Sequence, residues 1–338
     1  MDLYLKPKDY HPWIDVSNVN GVARDEPFLS ELAQELAWPQ PITAAFGNRI
    51  AMLQNLGVGS GDYVILPNLS PVAWAQAAMA LGADCILMDH DPEHWQMDLD
   101  LLEEFLMNYT MLNERDELIL KKDSRIIRAI VVPHLLGGMC DMDRLVFIGQ
   151  RFNVALGEDI THGLGSRWKD QPAGSFGRIN FCAFLSNPIV PFGRSVIFTS
   201  QDNVLKKAPT EAYVLEQMGE DLGWQLVWHV RFIIESFRKR EAGLRNLSIT
   251  ADLQWMSPLA ENQTNGMSIA FTSQRAMSET APPPGRLKPP IYHQLPFKKS
   301  LYIRREDWSS KLYETARVFP MHFSSRDLED QIKAYLSE

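Results

Sequence analysis

The chain is 338 residues long and 45% apolar, with a formal net charge of −9 and a pI near 5.4. That length supports one large domain plus a smaller one, and that composition supports a sizeable core. The acidic balance argues against a general nucleic-acid binder or a protein held to anionic membranes. Cys85, Cys140 and Cys182 form an odd set without CxxC spacing, so neither a disulfide framework nor a metal site is expected. With no apolar run of signal-peptide length at the start and no stretch of roughly 18 apolar residues, the expectation is a cytoplasmic protein in a reducing compartment.

In chain order, residues 1–43 read as an N-terminal arm. From about 60 to 200, short Val- and Ile-rich bursts alternate with longer amphipathic segments. The bursts are Val64-Ile65-Leu66, Cys85-Ile86-Leu87-Met88, Ala129-Ile130-Val131-Val132 and Val154-Ala155-Leu156, then 179–184 and 195–199. Residues 71–81 and 142–152 read as helices between them. This alternation predicts an α/β fold with a mainly parallel sheet covered on both faces. Ligands of such sheets sit beyond the carboxyl ends of the strands, where Asp89, His134, Glu158 and Asp159 are expected. After 205 the character changes. Residues 224–240 read as one helix ending on Arg238-Lys239-Arg240, a basic end that complements the helix dipole. Residues 257–300, with Pro282-Pro283-Pro284-Gly285 near their centre, read as an extended connection or a lid. Residues 324–329 read as the start of a last helix. The domains are placed at 1–205 and 206–338.

Several spaced blocks resemble one family. They are residues 56–67 (LGVGSGDYVILP), 80–83 (ALGA) with 87–89 (LMD), and 133–137 (PHLLG) with 141–143 (DMD). Further on come 158–168 (EDITHGLGSRW), 173–177 (AGSFG) and 318–323 (VFPMHF). In this order they resemble the DegT/StrS family of pyridoxal-phosphate-dependent sugar aminotransferases, of fold type I. The resemblance covers about 55–205 and 315–338. It implies a large domain with a mainly parallel sheet, a small C-terminal α/β domain, a homodimer, and amino transfer from glutamate to a keto-sugar nucleotide. It also implies pyridoxal phosphate or pyridoxamine phosphate as cofactor, an electron sink held by a lysine Schiff base, with an acid on its ring nitrogen.

By the same resemblance Asp159 takes the place of that acid, and His162 lies near the ring hydroxyl. The lysine falls on Asn187, or on Ser186 with a one-residue shift; no lysine stands between Lys169 and Lys206. Neither residue can form the Schiff base. The turn that holds the cofactor phosphate falls on 44–46, with Gly47 and Asn48 within a small shift, and its serine on Cys182, a weaker donor. The stacking aromatic falls near Pro71, with Trp74 expected near the pocket mouth. The segment that reaches across the dimer has no counterpart; His229 and Arg231 lie in that region without an assigned role. Three readings stand open. One is a member without transaminase activity that acts through binding or assembly. Another is a lysine-independent enzyme of the pyridoxal- or pyridoxamine-phosphate type with His162 or His134 as base, acting on a sugar nucleotide or related natural-product intermediate. The third is an ordinary aminotransferase whose lysine lies elsewhere.

Overall fold

A computed structural model describes residues 34–38, 43–46, 48–183, 195–199, 230–245, 253–266, 268–273 and 287–320. In chain order the strands are β1 (Thr43–Phe46), β2 (Tyr63–Pro67), β3 (Asp84–Met88), β4 (Thr110–Leu112), β5 (Leu118–Leu120), β6 (Ile127–Pro133) and β7 (Ala155–Asp159). They continue with β8 (Arg167–Trp168), β9 (Gln171–Pro172), β10 (Ile179–Ala183), β11 (Ser195–Thr199), β12 (Leu253–Trp255), β13 (Asn262–Gln263), β14 (Ser268–Ser273), β15 (Leu301–Ile303) and β16 (Ala316–Pro320). Eight of them form one sheet in the order β1-β11-β10-β7-β6-β2-β3-β15. From β10 to β15 the neighbours run parallel, and β11 is antiparallel to both of its neighbours. This is the expected α/β architecture.

The apolar bursts form strands because both faces of the sheet are covered. Successive side chains point to opposite faces. Ile65, Ile86, Ile130 and Leu156 therefore join one buried cluster, with Leu102 and Phe105 of the helix Leu99–Tyr109 and Leu145 of the helix Met142–Arg151. Val64, Leu87, Ala129 and Phe181 join the other, with Met52 of the helix Arg49–Asn55 and Trp74 of the helix Ala73–Ala80. Asp98 and Asp141 cap their helices by accepting from the backbone N–H groups of Leu101 and Arg144, as short acids at that position do.

Three expectations change. β7 runs through Glu158 and Asp159, so these carboxylates belong to the strand itself, while Asp89 and His134 do follow β3 and β6 directly. The helix at 224–240 is described from Val230 and continues to Arg245, so Arg238 is interior to it. Its guanidinium donates to the Thr264 and Gly165 carbonyls at 2.7 and 2.8 Å, a packing role in place of a dipole complement. Within 257–300, β13 pairs with β8 and β14 lies between β12 and β16. Strand β15, from the part assigned to the smaller domain, pairs with β3 in the main sheet. Residues 282–285, 324–329 and His229 lie outside the described residues.

The helix Val230–Arg245 rests directly on the turn after β7. Gly165 has a φ of +83°, and a Cβ there would overlap Ile234 Cδ1. Gly165→Ala is expected to destabilise the fold by about 1–3 kcal/mol through overpacking and an unfavourable φ. Urea unfolding checks this: the midpoint falls while the slope is unchanged.

Candidate functional site

The carboxyl end of β7 buries two adjacent acids, Glu158 and Asp159, at 0% and 2% exposure. Alternation turns them to opposite faces. Glu158 accepts from the backbone N–H groups of Gly174, Phe176 and Gly177 at 2.9, 2.7 and 2.6 Å. His134 Nε2 lies 2.9 Å from its Oε2. This carboxylate thus shapes the 174–177 turn, and it is a structural hub with His134 as its companion.

Asp159 is matched in register with Phe181 of β10. Its Oδ1 accepts from the Thr161 backbone N–H at 2.9 Å and from the Thr161 hydroxyl. Its Oδ2 accepts from the Trp74 indole N–H at 2.7 Å. Arg49 Nη2 stands 3.7 Å from the same oxygen. The Arg49 guanidinium carbon lies 4.7 Å from the Phe181 ring centroid and 5.4 Å from that of Trp74. The two rings meet edge to face at 5.3 Å. The site is therefore a buried acid whose two oxygens are both engaged by the chain's own donors.

The elements explain the convergence. The helices Arg49–Asn55 and Ala73–Ala80 follow β1 and β2, so their first turns face the carboxyl edge of the sheet. Arg49 opens the first of these helices and Trp74 is the second residue of the other. Trp74 is fully buried, which corrects its expected place at a pocket mouth: its indole needs the Asp159 oxygen as an acceptor inside the protein. Arg49 and Thr161 had no role assigned from the sequence, and Trp74 was placed near the site but not on Asp159. Arg49 carried a signal, because a cation in the first turn opposes the helix dipole and needs a nearby anion.

The remaining expected residues fare differently. Asn48 caps the helix Arg49–Asn55, its Oδ1 accepting from the Ala51 N–H at 3.0 Å, so its amide oxygen is engaged locally. His162 is partly buried. Burial lowers its pKa, Asp159 opposes that shift and Arg49 adds to it, leaving the imidazole neutral at pH 7. Cys182 is fully buried in the cluster of Leu156 and Phe198, and burial pushes its thiol well up. Gly47, Ser186 and Asn187 lie outside the described residues. Among the described residues no cluster of His, Cys, Asp or Glu could hold a metal ion, and no helix is long and apolar enough to cross a membrane. A cavity of about 560 Å³ opens at the other edge of the sheet, beside Ile127, Arg128 and Ala155. Arg128 there is paired with Asp62 and Glu117, and none of the candidate residues lines it.

Two outcomes follow from this geometry. Trp74→Phe keeps the ring but leaves a buried carboxylate oxygen short of a donor, at a cost of about 1–3 kcal/mol; equilibrium urea unfolding measures it. Burial raises the thiols of Cys85 and Cys140 to about 12 and that of Cys182 as well. A disulfide-exchange reagent at pH 8 is expected to label none of the three in the native protein and all of them in denaturant, since the thiolate is the reactive form.

Comparison with known proteins agrees with the fold. The chain is 31% identical over 150 residues to the GDP-perosamine synthase of Escherichia coli O157:H7, covering 44% of this chain and 36% of that protein. It is 28% identical over 162 residues to the L-glutamine:scyllo-inosose aminotransferase of Streptomyces griseus, covering 48% and 34%. The matched region thus spans about a third of the length of these relatives. Among solved structures, a DegT DnrJ EryC1 StrS aminotransferase from Brucella abortus superposes with a TM-score of 0.78 at 18% identity, over 92% of this chain and 89% of that one. The aminotransferase TlmJ from Streptoalloteichus hindustanus gives 0.73 at 17% identity, over 94% and 91%. The DegT/DnrJ/EryC1/StrS aminotransferase family profile matches residues 43–233, more than half of the chain, and the protein belongs to that family.

Proposed function

We propose that this protein is a family member that does not transfer amino groups and acts through binding or assembly. The observation that carries the reading is the absence of any lysine from residue 170 to residue 205, the window in which the family resemblance puts the Schiff-base lysine. An asparagine amide or a serine hydroxyl at that place can neither form the imine nor carry the proton that amino transfer moves.

Three features of the described residues support a poor fit to the family's pyridoxal phosphate. Asp159 already accepts twice from Thr161 on Oδ1 and once from Trp74 on Oδ2, which leaves a ring nitrogen the remaining lone pair of Oδ2, with the Arg49 guanidinium 3.7 Å from that oxygen. Asn48 is spent on its own helix, and Cys182 is packed in the core. No observation favours a histidine-based variant of the chemistry: His134 is committed to Glu158. Association with a second copy of the chain, implied by the family resemblance, belongs to the same proposal.

The test is an assay of the purified protein with pyridoxal phosphate, glutamate and a keto-sugar nucleotide, followed by borohydride reduction and mass spectrometry. No amino sugar and no pyridoxyl-lysine are expected. A reduced adduct on any lysine, together with turnover, sinks the proposal.

A further inference from the structure

Loss of a cofactor site by simple erosion leaves recognisable traces: shrunken side chains, a cavity, and a buried acid without a partner. The carboxyl end of β7 shows the opposite. Two of the largest side chains available, Arg49 and Trp74, converge on Asp159 from the first turns of two different helices. The Asp159 side chain is 1% exposed and that of Arg49 is 22% exposed. The guanidinium lies near the Phe181 and Trp74 rings at cation–π distances, within the range where an aromatic quadrupole attracts a cation.

A guanidinium is planar, delocalised and always charged. Beside the aromatic rings and 3.7 Å from the Asp159 oxygen, it offers that carboxylate a positive charge, as a protonated pyridine ring would, without a direct hydrogen bond. We infer that Arg49 is a built-in substitute for the cofactor ring, a resident cation that claims Asp159 and closes this site to pyridoxal species. The inference rests on the reading of the protein as a non-transaminating member and deepens it, because the acid has been given a new partner within the chain. Two features support it. A cation at a helix N-terminus is unfavourable without a local anion, so the position of Arg49 is explained by Asp159. Among the described residues, His162 beside the acid is kept neutral by burial and by Arg49 itself, so it does not compete for Asp159.

The experiment combines ligand binding with a double-mutant cycle on the full chain. Equilibrium dialysis and tryptophan fluorescence of the wild-type protein against pyridoxal phosphate and pyridoxamine phosphate are expected to show no saturable binding at millimolar ligand. Arg49→Met leaves Asp159 buried without its counter-ion, and the melting temperature is expected to fall by roughly 5–10 °C. Asp159→Asn introduced into Arg49→Met removes the stranded charge and is expected to recover at least half of that fall, the signature of direct coupling. If Arg49→Met does not fold, Arg49→Gln removes the charge while keeping a polar chain of similar reach and gives the same comparison with Asp159→Asn. Saturable wild-type binding of either pyridoxal species overturns the inference, and so does an Asp159→Asn effect that adds to the first loss. Binding without amino transfer overturns the resident-cation inference alone, whereas a pyridoxyl-lysine adduct with turnover overturns the underlying reading.

Discussion

The burial of two adjacent carboxylates at the end of a central strand is the constraint around which this molecule is organised. Glu158 and Asp159 leave water together, and an ionised carboxylate out of water is tolerated only when it is hydrogen-bonded or paired. Alternation along β7 sends one to each face of the sheet, so each face must solve the problem separately. On one face the solution is local backbone: three N–H groups of the 174–177 turn and the His134 imidazole gather on Glu158. On the other face it is side chains drawn from a distance. Trp74 lies 85 residues away in sequence from its acceptor Asp159, and Arg49 is farther still.

These two solutions have different consequences. The Glu158 cluster fixes the 174–177 turn through its backbone N–H groups. The loop after β7 is then pinned from above: Asn265 donates to the carbonyls of His162 and Leu164, and Arg238 donates to that of Gly165. The Asp159 cluster is the chemically informative one. A carboxylate in this position can serve a ligand or the protein's own side chains, and here Trp74, Thr161 and Arg49 hold it.

Much of the fold was legible because its strands are doubly covered. A burst such as Ala129-Ile130-Val131-Val132 needs apolar residues on both faces, and that continuity marks a parallel interior strand. Boundaries were harder, since Glu158 and Asp159 look like residues after a strand until partners for their side chains are known. The helix Val230–Arg245 shows the same limit. Its basic run looks like a terminus in sequence, yet Arg238 is held inside the helix by carbonyls of segments that pack against it. β15 could not be placed from its own three residues, because membership in the main sheet depends on β3 offering a free edge.

The sequence by itself determined the fold class, the family, the acid at Asp159 and the lack of a lysine between Lys169 and Lys206, because these reside in local pattern and residue identity. Only the tertiary structure decided which side chains surround Asp159. Arg49 and Trp74 are ordinary helix residues in the linear chain, and their meaning comes from the crossover connections that bring two helix N-termini to one strand end. A buried charge takes whatever partner the packing supplies, and that choice is made in space, between residues the sequence keeps far apart.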